Sequence, residues 1–478
     1  MTFISFWFAI LFLTFLFFYW ILPKTWRIYA LVLANALFYI AWDWRFLFLL
    51  TASILVDYAV GLRIGSLNSL NDQTRRRRQN WLILSLSFQL LMLGFFKYFN
   101  FFSDSLAFLL SQLHISLSPT HLNILLPIGI SFYTFKTMTY TLDIYFKRCE
   151  PTTSIATYAA YVGFFPELLS GPIDRAKSLL PQILKGGVIL RENFQEGAHL
   201  IFIGLFKKIY VADSLAPHVQ TLLSIPNPGR WEVVWGAVMF YFQLYADFSG
   251  YTDIATGLAK SLGFQLALNF RLPYFARNPN DFWQRWHISL STWLRDYIFT
   301  PLGGAFRTRA IAYRNIAVTM LLAGLWHGAS VTFLLWGGYH AALLIGHRIL
   351  QPGLKHAGRS IRWLFGKSIR RSSRILTTFL LVSFGWIIFR AGSWSQLQVL
   401  WRGLFHWHGG YDLTPLLNIL LFMGPLMILE FLESSFLKTP IYRTDRLPLW
   451  GKTGIYAILF YLMAFNGASS QGFIYAQF

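Results

Sequence analysis

Cysteine is nearly missing from this chain of 478 residues, with Cys149 its single thiol. That excludes an internal disulfide, and no CxxC or comparable pattern is present to hold a metal or run thiol redox chemistry. Charge is scarce too, at 13% of residues, and acidic charge is scarcer, with 20 Asp and Glu against 41 Lys and Arg. A soluble domain carries about 25% charged residues, so the sequence does not encode an ordinary solvated surface. The longest polar connections run about 30 to 40 residues and are themselves rich in Trp and Phe, which leaves no separate soluble domain. No internal repeat of the kind that marks many secondary transporters is visible.

What the chain has is apolar surface: 55% hydrophobic and 19% aromatic residues. A bilayer crossing needs roughly 20 residues of helix. Apolar stretches near 1–22, 28–42, 46–62, 79–100, 122–146, 196–213, 231–248, 315–335, 336–350, 375–392, 414–434 and 453–468 predict about twelve spans. The stretch 315–350 reads as two spans or one long tilted helix. The first stretch has the length of a signal sequence but lacks a basic leader and a small-residue cleavage site, and Lys24 and Arg27 follow it, so it is read as a retained anchor. The expectation is an all-α integral membrane protein, a single transmembrane domain over 1–478.

A net charge of +21 would suggest nucleic acid in a soluble protein. Here the basic residues alternate by connection. Arg75 to Arg78, Lys147 with Arg148, and the links 271–314, 355–374 and 438–452 are rich in Lys and Arg. The connection 101–121 has none, and 214–230 and 393–413 have one each, Arg230 and Arg402. This is the positive-inside pattern, with the amino terminus outside and the basic links in the cytoplasm. The charge therefore reports topology and contact with anionic lipid, not nucleic acid.

Against that background, polar groups at membrane depth mark where function should be sought. His327 sits in AGLWHGASVTFLLWGGYHA, flanked by Leu325, Trp326 and the apolar run from Val331. Gly324 and Gly328, spaced as GxxxG, would let a neighbouring helix or a substrate chain reach the backbone. A neutral imidazole there can take a proton from a hydroxyl and return it to a leaving thiolate, or simply staple two helices by a hydrogen bond. His287 follows Trp286 in NDFWQRWHISLSTWLRDYIFT. Read as one helix, that connection carries an apolar stripe of Trp283, Trp286, Leu290, Trp293 and Leu294, and would lie along the cytoplasmic interface or dip into the protein. The plain reading of His287 is a ring in the interfacial aromatic belt.

His340 and His347 share a helix face that His327 does not, which argues against a three-histidine metal site. His114 and His121, with no acidic partner close in sequence, read as surface residues. Lys136, Tyr140 and Asp143 share one face, where Lys136 and Asp143 would form an ion pair or line a polar tunnel. In LYADFSGYTD, a helix break near Ser249 and Gly250 is expected, lining a cavity or forming a re-entry.

Several long segments together carry a family resemblance: ELLSGPIDR (Glu167 to Arg175), YADFSGYTDIATGLAKSLGF, FWQRWHISLSTWLRDYIFTPLGG and LLAGLWHGASVTFLLWGGYHA. With FYIAWDWRFLFLL near the start and GFIYAQF at the end, they resemble the membrane-bound O-acyltransferase (MBOAT) superfamily, in particular its bacterial alginate O-acetylation branch. The resemblance implies a bundle of about 11–12 transmembrane helices plus re-entrant and interfacial helices around a tunnel, in a bacterial cytoplasmic (inner) membrane. It implies acyl transfer from a cytoplasmic donor to an acceptor beyond the membrane, with the histidine of the WHG motif, His327, catalytic and the RWH histidine, His287, on the cytoplasmic side. No metal and no bound cofactor are implied. The donor would be acetyl-CoA, its phosphates suited to Arg271, Arg277, Arg307 and Arg309. The acceptor would be an exported or cell-wall polysaccharide, alginate-like or peptidoglycan, served with an esterase-like extracytoplasmic partner. No serine or cysteine stands in a nucleophile's arrangement, so direct transfer is favoured over an acyl-enzyme. D-alanyl transfer to teichoic acid, a polytopic transporter and a scaffold of an export complex are the rival readings. Neither of the last two gives the RWH and WHG motifs a role.

Overall fold

A computed structural model of the protein describes residues 3–67, 71–169, 171–188, 190–305, 308–364, 367–407, 412–467 and 472–474, with backbone alone at 352–364, 367 and 466. All regular structure among them is helical. Each predicted span contains a helix, though in 122–146 it begins only at Ile130, and the ambiguous 315–350 stretch is two, Arg309–His327 and Val331–Leu364. Four helical stretches among the described residues are long and apolar enough to cross a membrane, Trp44–Ser66, Asp72–Gln112, Ser368–Arg390 and Thr414–Leu437, and Phe6–Ile21 and Leu449–Phe465 are shorter apolar helices. Of the other predicted spans, some fall short in length, as Lys24–Ile40 with 17 residues and Ile130–Tyr145 with 16 do, and several carry charge. In the helices Ile130–Tyr145, Phe206–Ala212 and Arg230–Ser261, Lys136, Asp143, Lys207, Lys208 and Asp247 are buried.

The chain divides into two compact units, Met1–Phe202 with Tyr251–Ala267, and Ile203–Gly250 with Leu268–Phe478. The first is knit by polar contacts between helices, the glue expected where apolar surface alone gives helices little reason to associate. Gln89 Nε2 donates to Asp57 Oδ2 at 2.8 Å and to Ser53 Oγ at 2.7 Å, and Ser85 donates to Thr141 at 3.0 Å. Arg78 closes the carboxyl end of Ile130–Tyr145 by donating to Tyr145 O at 2.8 Å, where a cation suits the helix dipole. Lys136 does not pair with Asp143 as its spacing suggested. Its ammonium bonds Glu167 and, at 2.6 Å, the carbonyl of Tyr161, while Asp143 meets Arg148 at 3.7 Å. The two share a face, but Lys136 finds its partner on another element and Asp143 in the turn just after its own helix. His121 is exposed as expected, yet it does have an acidic partner, Asp104 at 2.6 Å, 17 residues away.

In the second unit the helices Arg309–His327 and Val331–Leu364 form a close antiparallel hairpin. A Cβ on Gly324 would collide with the carbonyl of Phe333, one on Gly328 with the Phe333 ring, and one on Gly337 with the carbonyl of Met320. The GxxxG spacing therefore admits a neighbouring helix. The expected break at Ser249 and Gly250 is absent, since Arg230–Ser261 is continuous. Gly250 instead lies against Gly204 O and the Lys207 side chain.

The helix Arg191–Leu205 gives way to a π-helix, Phe206–Ala212, whose wider turn buries both Lys207 and Lys208. Lys208 lies 2.7 Å from both Asp213 and Asp247. Lys207 meets Glu430 at 3.2 Å, and Glu430 also accepts from Tyr245 at 2.6 Å and from Tyr274. Gly324→Val should leave no room for the Phe333 carbonyl. We expect a loss of about 1–3 kcal/mol, the usual cost of overpacking, seen as a lowered Tm of the purified protein, with Gly346→Ala, where a Cβ meets nothing within 4 Å, as the unaffected control.

Candidate active site

The connection read as one helix is in fact two short ones, Pro279–Trp283 and Ile288–Leu294, followed by a π-turn, Arg295–Phe299. Asn278 caps the first by accepting from Asp281 N at 2.9 Å. Asp281 in turn accepts from Arg277 and, at 2.7 Å, from Arg285. The chain then folds back on itself, with Arg271 N donating to Arg285 O at 2.9 Å and Ile288 N to Asn269 O at 2.9 Å. At the turn His287 takes a left-handed conformation, φ 42°, which is costly for a residue with a Cβ and persists only where surroundings impose it. Of the two expectations for the aromatic stripe, the segment dips into the protein: Trp286, Leu290, Trp293 and Leu294 are buried, Trp283 is half-buried, and His287 is fully buried.

Asn269 is what imposes this conformation. Its side-chain oxygen accepts from Ser289 Oγ at 2.9 Å and Ser289 N at 3.3 Å, and lies 3.0 Å from His287 Nδ1. A backbone N–H can only donate, so the Asn269 atom facing it is the oxygen, and Nδ1 of His287 must carry the proton. The other nitrogen, Nε2, is then a bare lone pair, and it has no partner among the described residues. Burial pushes this imidazole down to about 3, so it stays neutral throughout the physiological range. Phe248 meets its ring edge-on at 4.8 Å.

His327 ends its helix and is buried. Trp336 and Phe389 present themselves edge-on to its ring at 5.0 and 5.3 Å. Trp326 touches both imidazoles, 5.7 Å from His287 and 5.0 Å from His327. The two sequence-predicted histidines are thus both in ring contact with one indole. A third, His340, is buried among Trp283, Trp336 and Trp386, while His347 on the same helix is only half-buried. Of the arginines proposed for donor phosphates, Arg277 is engaged by Asp281, Arg271 and Arg309 are exposed, and Arg307 lies outside the described residues. Sequence reasoning missed Asn269, whose only signal was a polar side chain within the apolar run LALNF, and Phe248, Trp336 and Phe389, which there were indistinguishable from core.

Residues 151–358 match the MBOAT, membrane-bound O-acyltransferase family. The chain is also 40% identical over 386 residues to a probable alginate O-acetylase of Azotobacter vinelandii, covering 80% of this chain and 73% of that one. The chain belongs to the membrane-bound O-acyltransferase family. A peptidoglycan O-acetyltransferase of Helicobacter pylori is 34% identical over 414 residues, 81% of this chain and 74% of that one. A teichoic acid D-alanyltransferase of Bacillus subtilis is more distant, 28% identical over 285 residues, 57% of this chain and 70% of that one. The protein is a membrane O-acyltransferase, and the RWH and WHG histidines of this MBOAT chain are the pair set about Trp326.

Asn269→Ala removes the acceptor that fixes both the ring and its tautomer. Because a misplacement of about 1 Å at a reacting centre can cost ~10²-fold, turnover should fall by about that factor with the protein still folded, and a steady-state assay beside a Tm measurement separates the two. The neutral burial of His287 has its own signature. The unfolded chain takes up a proton on this ring below about pH 6.5 and the folded protein does not, so stability is full above that pH and lost as pH falls below it. The Tm should therefore drop less between pH 7 and 5 in His287→Gln than in the native protein.

Proposed function

We propose that the protein transfers acetyl groups from cytoplasmic acetyl-CoA to hydroxyls of an exported or cell-wall polysaccharide, as a multi-pass enzyme of a bacterial cytoplasmic membrane. The observation that carries the reading is the pair of buried imidazoles about Trp326 in a chain whose relatives are named for acetyl transfer to alginate and peptidoglycan. His327 is the general base. It takes the proton of the acceptor hydroxyl as that oxygen attacks the thioester carbonyl; the C–S bond then breaks and the departing thiolate recovers the proton, leaving an ester and a free thiol. Trp326, Trp336 and Phe389 pack against the imidazole and shield it from solvent.

His287 has a different task. With its proton committed to Asn269, Nε2 accepts hydrogen bonds and has none to give. It therefore orients an N–H or O–H of a bound reactant and does not polarise the thioester carbonyl. Arg271 and Arg309, exposed on the basic connection, supply positive charge for the phosphates of the donor. An extracytoplasmic, esterase-like partner would present or receive the glycan.

The test is turnover of radiolabelled acetyl-CoA by the purified protein in nanodiscs, comparing native, His327→Ala and His287→Ala at matched folding. General-base loss alone is worth ~10²–10⁴-fold, so His327→Ala should fall by that range. His287→Ala should fall by about 10²-fold, the cost of losing orientation. Equal turnover in all three would sink the assignment, and turnover with a D-alanyl carrier but not with acetyl-CoA would move the donor to the teichoic acid branch.

A further inference from the structure

The outward face of the second unit holds a groove of about 1030 Å³ that the acyl-transfer reading leaves unused. Leu335, Gly338 and Ile388 line it on one side, and Leu397, Trp401 and Arg402 of the short helix Trp394–Gly403 on the other. The lining is almost wholly apolar. Tyr339 reaches it, but its hydroxyl already donates to Leu381 O at 2.8 Å. By charge alternation, Trp394–Gly403 follows a span that begins in the basic cytoplasmic link, so Arg402 lies at the outward interface.

The arginines of this side of the unit differ in one respect. Arg230 donates to Leu404 O at 2.8 Å and stacks on Trp407 at 3.6 Å. Arg390 donates to Gln220 at 2.5 Å. Arg402 is exposed, and its guanidinium has no hydrogen-bond or ion-pair partner among the described residues. An apolar trough with one uncommitted cation and an indole at its end matches one chemistry: acyl chains beneath an anionic headgroup. A spanning helix of a partner would have the Gly338–Ala342 step and Gln398 to pack on, since helices associate in membranes through small residues and shared polar groups, but it would leave the Arg402 guanidinium without an anion.

We propose that this groove binds a phospholipid of the outward leaflet, its acyl chains along Leu335, Gly338 and Ile388 and its phosphate on Arg402. The Arg309–His327 and Val331–Leu364 helices, which carry His327 and Trp336, form one wall through Leu321 and Val331. A bound lipid therefore braces the hairpin on which the buried imidazole rests.

The experiment is native mass spectrometry and thermal unfolding of the full chain, titrated with phosphatidylglycerol or with phosphatidylcholine of the same chains. The native protein should hold phosphatidylglycerol at least fivefold more tightly and gain Tm from it. Arg402→Gln should lose that preference while still binding both lipids, Arg402→Lys should keep most of it, and Arg371→Gln on the cytoplasmic side should match the native protein. Gly338→Phe should block both lipids; a Cβ there meets only Leu321 at 3.9 Å, so there is room to begin the side chain without strain. Equal binding of the two lipids by the native protein would overturn the proposal. So would an equal loss in Arg371→Gln, unchanged binding in Gly338→Phe, or a polypeptide or second copy of the chain held where the lipid should be. None of these readings depends on acetyl transfer, so the lipid site and the proposed function fail separately.

Discussion

An unpaired charge away from water is too costly to keep, and this one constraint determines how the interior of each unit is organised. Among the described residues, buried ion pairs join elements distant in the chain. Lys136 reaches from Ile130–Tyr145 to Glu167, and Lys207 from the π-helix to Glu430. Lys208 lies between Asp213 and Asp247. Apolar packing tolerates sliding and rotation, since one methyl group resembles another. A lysine that must find a carboxylate does not, so these pairs fix register where hydrophobicity leaves it loose. Removing either partner strands a buried charge, which is why such pairs specify a fold more than they stabilise it.

At the candidate active site a neutral group plays the same part. Asn269 offers one oxygen to three donors spread over His287 and Ser289, and that single acceptor holds a left-handed residue, starts the Ile288–Leu294 helix and decides which nitrogen of His287 is protonated. The indole of Trp326 then meets both imidazoles. The candidate site is built mostly from rings and one amide.

Much of this was legible in the sequence, because a few patterns have few physical solutions. The stretches of apolar residues pointed to helices, and each contains one, although 122–129 is not helical. His327 and His287 stood out because imidazoles in apolar surroundings need a reason, and their motifs carried the family. Where local spacing was asked to name a partner, it failed. Lys136 and Asp143 share a face, yet Lys136 pairs with Glu167, 31 residues on. The stripe from Trp283 to Leu294 had helical periodicity, yet the chain turns at His287, since the hydrogen bonds that turn it come from Asn269, 18 residues earlier. Glycine in DFSGYTD suggested a break, whereas it serves close approach to Gly204 within an unbroken helix. Periodicity reports the face a residue occupies, and partners beyond the next turn are set by tertiary structure.

The π-helix at Phe206–Ala212 has a consequence for how this protein can change over time. A π-turn holds one residue more than the α-turn it replaces. Substitution can alter what Lys207 and Lys208 touch, but it cannot remove the extra residue. A deletion of a single codon can. The helix would close into regular hydrogen bonding with no local penalty, and every side chain on one flank would turn by about 100° relative to the other. The backbone would be improved and the ion pairs lost together. Such a site resists gradual drift and is vulnerable to one abrupt kind of mutation, so chains descended from this one should vary in side chains along the segment far more readily than in its length.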